Sequence, residues 1–513
     1  MSTDQKNNLF VLIKSLTKSE KRQFKLFSGR LDGNSNANFI ALFNLLDKMK
    51  VYDESEIIRK TAIKKVQLSN AKANLYRQIL VSLRLTPQQQ TTQIIIREQL
   101  DFGTILYNKG LYQQSLKVLD KAKKMAIENE ENNIAFEIVE FEKIIETQYI
   151  TRSLSSRADN LAIITKELGI KNVLASKLSN LSLQLYSFLL KNGYAKSEND
   201  LERTKTYFYY HMPSFDLNQL GFREKLYLYM AQLWYSFIIQ DFKSSYKNAY
   251  KWVDLFDSNP KMIQTNPVFF LKGNNYLLES LYYLRYTSKF DQVLSTFKQA
   301  LQHKDFRFND NTLLLRFLYL RYNEINLHFL KGTFKEGIET IQEIEFEINK
   351  YHEKIDAHHV MVFYYKFACL HFGADNHANC IHYLDKIVKN KELGMRQDLM
   401  CYARILRLIS HYELGRDGQI EVLIKSTFKF LLKMDDMHRV QAEIIIFIRS
   451  LNTIYPHELK DAFKLLHNKL KQLEDHPFEK RSFLYLDIIS WLESKIDSKP
   501  IQKVVAAKAK LMK

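Results

Sequence analysis

One short turn keeps returning along this chain: an aromatic or apolar residue, then a small one three positions later, set between stretches of helical apolar periodicity. It stands at Tyr112 and Ser115, Tyr194 and Ser197, Phe242 and Ser245, Phe290 and Val293, and Phe334 and Gly337. Fainter copies follow at His377 and Cys380, Asp417 and Ile420, and Leu459 and Ala462. Successive anchors after Tyr194 lie 48, 48, 44, 43, 40 and 42 residues apart, and the 82 residues from Tyr112 to Tyr194 leave room for one more copy near Leu154. An interval of this size constrains the fold more than any motif does. Each interval holds one helical hairpin that cannot bury its apolar stripe alone, so neighbours must stack.

Punctuation agrees with that reading. Only 14 glycines and 7 prolines interrupt 513 residues, far fewer than the turns of a sheet-rich chain require. In the first clear unit Leu106, Leu111, Leu116 and Leu119 mark apolar faces on two helices, with Gly110 between them. Gly110 suits a helix C-terminus, where a left-handed backbone costs a residue with a Cβ about 1 kcal/mol. The expected fold class is all-α.

Phe102, Gly103, Leu106, Gly110, Tyr112, Ser115, Leu119 and Ala122 occupy the places where tetratricopeptide repeats carry their first-helix pair, turn glycine, turn aromatic and second-helix packing residues. Over about residues 91–475 the chain resembles that family, with longer repeats and generally without the family's terminal proline. The resemblance implies an α-solenoid or superhelix whose first helices line a concave groove for an extended or helical peptide. Carried across, the groove places fall on Tyr227, Met230, Trp234 and Phe237, then Leu278, Tyr282 and Tyr286. They continue with Tyr319, Tyr322, Asn326 and Phe329, then Tyr365 and Phe372, and end with Tyr402 and Tyr412. The family's clamp for acidic peptides is incomplete: Asn323 and Asn326 fit its asparagines, but Tyr322 stands where a lysine is needed. The same rings also suit plain core filling, since each aromatic buries about 150–250 Å².

The ends are different. Residues 1–90 hold 16 Lys/Arg against 7 Asp/Glu and residues 499–513 hold five lysines and no acid, so of the net +18 only +4 falls between them. This predicts a basic N-terminal helical module over 1–90, the array over 91–475, a capping helix over 476–498 and a basic tail over 499–513. Thr17 and Glu20 form a capping-box pattern that starts a helix. No acid lies between Glu56 and Glu98, whereas Arg59, Lys60, Lys64, Lys65, Lys72, Arg77, Arg84 and Arg97 all do or adjoin it. Such a patch is either a solvated face or a grip on the phosphates of a nucleic acid or ribosome. The tail is either a frayed, soluble end or an electrostatic tether.

Signatures of chemistry are missing. There is no glycine cluster to cradle a phosphate, no G-x-S-x-G elbow and no H-E-x-x-H. The nearest approach to a metal site is His371, His377, Cys380 and His382, yet Cys380 already fills the small-residue place of its turn. We therefore expect neither metal nor cofactor and no enzymatic activity. Three cysteines, no leader and no long uncharged apolar run lead to the expectation of a cytoplasmic protein without membrane insertion. The expected function is a non-catalytic scaffold that binds a protein or peptide partner in an aromatic groove. Nucleic-acid or ribosome association through the basic module, and self-association, are the alternatives.

Overall fold

A computed structural model describes residues 8–29, 35–86, 89, 91–149, 156–303, 306, 308–389, 397–415, 417–434, 439–451, 454–455, 457–480, 482–485 and 487–511. Every regular element among them is helical. The helices group into two compact units, Met1–Leu168 and Gly169–Lys513. Among the described residues no helix is long and apolar enough to cross a membrane.

The first unit opens with α1 (Asn8–Ser15), α2 (Lys18–Ser28), α3 (Ser35–Lys48), α4 (Glu54–Lys60) and α5 (Lys65–Arg84). Ile13, Phe24, Phe43, Leu75 and Ile79 form their shared core, so the basic module has an interior of its own. The capping box forms as expected: Glu20 N–H donates to Thr17 Oγ1 at 3.2 Å, and Thr17 N–H to Glu20 Oε2 at 2.8 Å. A second core, around Leu119, Ala122 and Ile138, joins α6 (Thr92–Asn108), α7 (Tyr112–Glu128) and α8 (Asn132–Tyr149). These helices group with the first unit, whose boundary falls at residue 168, inside α9 (Arg157–Asn192). Gly110 is left-handed, with φ 75°. Gly103 has a separate reason: a Cβ there would lie 2.7 Å from Leu119 Cδ2, and Ser115 Oγ donates to its carbonyl at 2.7 Å. The proposed copy near Leu154 lies outside the described residues.

Ionic contacts are also buried here. Lys123 Nζ meets Glu142 at 2.6 Å and Asp120 at 3.0 Å, while Arg157 reaches Glu142 at 3.2 Å, Asp120 at 3.3 Å and Glu146 at 3.5 Å. Three carboxylates thus share two cations. Burial pushes the Glu142 carboxyl up to about 7 against the pull of Lys123.

The second unit is built from helix pairs. After α10 (Glu198–His211), α11 (Phe222–Ile238) pairs with α12 (Phe242–Asp257); then, past α13 (Lys261–Thr265), α14 (Pro267–Tyr283) pairs with α15 (Thr287–Ala300). Next come α16 (Asp310–Lys331) with α17 (Phe334–Glu339) and α18 (Ile341–Lys350), and α19 (Ala357–Gly373) with α20 (His377–Val388). They are followed by α21 (Gln397–Glu413) with α22 (Asp417–Met434), and α23 (Arg439–Ser450) with α24 (Leu459–Leu473). First helices also touch one another in series, α14 on α16, α16 on α19 and α19 on α21, which is compatible with a helical repeat.

One backbone device ends the first helix of successive pairs. Gln240, Arg285, Gly332, Asp375 and Gly415 all have φ between 55° and 68°. The residue after each of the first four donates its N–H five positions back: Asp241 to Ser236, Tyr286 to Leu281, Thr333 to His328 and Asn376 to His371, at 2.8–3.1 Å. This is the Schellman cap, which satisfies carbonyls the helix leaves open. Four of these left-handed residues stand two places before the anchors Phe242, Phe334, His377 and Asp417. Arg285 stands instead before Thr287, so α15 starts three residues ahead of the expected anchor Phe290, whose ring is fully buried inside that helix.

The chain then folds back. After α25 (Ser482–Tyr485) and α26 (Ile488–Asp497), residues expected to fray form α27 (Ile501–Leu511), with Ile501, Val504 and Val505 buried. Ile501, Val504 and Val505 follow i, i+3, i+4 spacing, which gives the helix one buried apolar stripe. The helix packs on α16 so closely that a Cβ on Gly332 would come within 2.7 Å of Ala506 N. Lys508 is held by Glu493 at 2.6 Å and by Ser490 Oγ at 3.0 Å.

Candidate ligand cavity

Within the second unit the first helices α11, α14, α16 and α19, with the end of α9, surround a cavity of about 990 Å³. Ile501, Val505, Lys508 and Ala509 of α27 supply part of its wall, as do Phe483 and Asp487. The volume is at the upper end of small-ligand sites.

Nine of the residues carried over from the repeat resemblance line this one space: Trp234, Phe237, Tyr282, Tyr319, Tyr322, Asn326, Phe329, Tyr365 and Phe372. They converge because they lie on α11, α14, α16 and α19, whose inner faces surround the cavity. Their rings also pack on each other. Trp234 is edge-on to Tyr276 at 4.8 Å and tilted against Tyr186 at 4.7 Å, and Tyr322 lies 4.4 Å from Phe363. Tyr322 donates its hydroxyl to His359 O at 2.8 Å. Cavity lining and core filling are therefore the same residues here, with the inner faces of buried rings forming the wall.

Six others are elsewhere. Tyr227 packs on a small satellite cluster and meets Phe269 edge-on, Met230 packs against the core and Leu278 is fully buried in it. Tyr402 is buried and donates to Ser482 Oγ at 3.1 Å, and Tyr412 is a half-buried core neighbour. Tyr286 is exposed at the cap of α15, because the left-handed Arg285 ends the preceding helix a turn sooner than the expected phase.

Polar groups complete the site, and of these the sequence singles out only Asn323 and Asn326. Lys366 Nζ donates to Asn326 Oδ1 at 2.5 Å, Asn326 Nδ2 to Asn323 Oδ1 at 3.3 Å, and Asn323 Nδ2 to Asn275 Oδ1 at 2.9 Å. The asparagines engage one another, an arrangement unlike two independent clamp residues. Loss of surrounding water pushes the Lys366 ammonium down to about 8, and lowers Lys272 as well. Attraction to Asp487 instead raises Arg285; burial opposes the Asp487 carboxylate, but Arg285, Lys508 and Ser490 hold it below its usual range. Burial pushes the Cys369 thiol up to about 12, which makes it an inert wall group. Lys366 could have been noticed: it is the sole charge in the run VMVFYYKFACL.

The histidine and cysteine candidates do not assemble. Among the described residues no group of three or more His, Cys, Asp or Glu is placed to hold a metal. Cys380 is buried and accepts from Ser410 Oγ at 3.3 Å, while His371 stacks on Tyr383.

Half of the basic patch is paired with carboxylates from outside the acid-free stretch or its edge. Lys60 meets Glu56 at 2.6 Å, Lys72 meets Glu54 at 3.0 Å, Arg84 meets Asp101 at 2.9 Å and Arg97 meets Glu137 at 3.7 Å. Arg59, Lys64, Lys65 and Arg77 have no carboxylate within 4.0 Å among the described residues. Compared with protein-family models, with curated proteins and with solved structures, the chain matches none.

Proposed function

We propose that this protein is a non-catalytic scaffold of tetratricopeptide-like hairpins that holds a segment of a protein partner in the aromatic cavity of its second unit. The observation that carries this reading is the convergence of nine residues, chosen by repeat position alone, on one cavity of about 990 Å³. Rings that are rigid and already packed lose little freedom when a ligand arrives, which favours binding. The test is site-specific photo-crosslinking in cells from Tyr282 and Tyr322, with exposed Phe346 as the control position. The expected product is one recurring peptide captured from both cavity positions and lost when Trp234 is replaced by alanine. Capture from Phe346 alone, or equal capture from all three, would remove the proposal.

A second reading, contact with nucleic-acid phosphates, is favoured by the four unpaired cations of the basic module. It predicts retention on RNA that falls steeply between low and physiological salt and weakens in K64E/K65E. Retention unchanged by that charge reversal would eliminate it.

A further inference from the structure

Among the described residues, two ammonium groups on the cavity wall have no carboxylate in contact; Glu279, which also lines the cavity, attracts Lys366 only from farther away. Lys366 leaves α19 between the rings of Tyr322 and Phe329, whose centroids lie 5.9 and 5.6 Å from Nζ. Among the described residues no carboxylate comes within 4.0 Å of it, or of Lys272 on α14. Two other cations of the wall differ: Arg285 is attracted by Asp487, and Lys508 is paired with Glu493.

The hydrogen bonds around Lys366 have a direction. Its ammonium donates to Asn326, which donates to Asn323, which donates to Asn275, so each carboxamide oxygen accepts from the Lys366 side. Amides aligned in this way polarise one another, and the Asn326 and Asn323 oxygens are already engaged as acceptors within the chain of bonds. An ammonium has three donors, and Asn326 takes one of them. A cation in such a place is costly unless an anion completes it, and the facing rings return only part of the cost.

We propose that Lys366 is an anion seat, and that the cavity takes a carboxylate carried on an apolar or aromatic body. The carboxylate completes the hydrogen bonds of Lys366, and its apolar body lies against Tyr282, Phe329 and Tyr365. Lys272 adds long-range attraction for the same charge. The proposal rests on the cavity being the binding site, and it holds whether the carboxylate belongs to a free organic acid or to an acidic side chain of a partner.

The test compares 1-pyrenebutanoate with 1-pyrenebutanol, which share a ring body and differ in charge, by fluorescence titration of the full chain. The acid is expected to bind about tenfold more tightly than the alcohol, with the difference lost in K366M and largely kept in K366R. Equal affinity for the two, or an undiminished difference in a folded K366M, would overturn the anion seat. Displacement of the acid then separates the sources. Displacement by an amidated Phe-Phe-Glu-Phe peptide, and not by its glutamine counterpart, supports the seat with the carboxylate on a polypeptide. Displacement by decanoate alone supports the seat and sinks the protein-segment reading.

Discussion

At the scale of single residues, the helix pairs are delimited by backbone conformation more than by side chains. Gly110, Gly332 and Gly415 are left-handed and visible as glycines, but Gln240, Arg285 and Asp375 hold the same conformation with a Cβ. Their cost is offset by tertiary contacts, as when Gln240 Nε2 donates to Ala195 O at 3.0 Å. That is why the period was legible at Phe334 yet three residues out of phase at Phe290, where the eye follows the ring and the chain follows the cap. Asp375→Gly should raise stability by about 1 kcal/mol, read from thermal unfolding. Glu142 gives a pH prediction of definite sign. Its folded pKa is raised to about 7, so the stability it confers is fully present below its ordinary 4.5 and is lost as pH rises through 7. The loss should be on the order of 2 kcal/mol, seen in the hydrogen-exchange protection of α7 and α8 after correction for intrinsic rates. Glu142→Gln should flatten that dependence.

At the scale of elements, α27 shows how composition can conceal a pattern. Five lysines over 499–513 suggested fraying, but Ile501, Val504 and Val505 have helical spacing, and burying each is worth about 1.5–3 kcal/mol. The sequence contained the helix; its docking place was not readable, because Gly332 lies 174 positions from Ala506 and signals nothing locally beyond a helix end. Gly332→Ala should combine a strained left-handed backbone with a clash against α27, undocking it and lowering the unfolding midpoint by several degrees. Deleting residues 499–513 should lower the midpoint similarly and speed release of 1-pyrenebutanoate in stopped-flow measurements. If the deletion left the release rate unchanged, α27 would be no part of the working cavity wall.

At the scale of the molecule, all residues lining the cavity fall within Gly169–Lys513, whereas the basic module and the Glu142 cluster belong to Met1–Leu168. A fragment spanning 169–513 should therefore bind 1-pyrenebutanoate within about twofold of the full chain by the same titration. Which faces would meet was legible from the period, since Trp234, Tyr282, Tyr322 and Tyr365 come from four successive first helices. The ammonium among them was not, because a lysine in an apolar helix reads as a surface intruder until its neighbours are known. The placing of the indoles has one more consequence. Of the three tryptophans, Trp252 and Trp491 are wholly enclosed, and Trp234 is the one whose indole borders the cavity. The protein thus carries its own optical gauge: quenching or a spectral change assigned to Trp234 would report occupancy without any label.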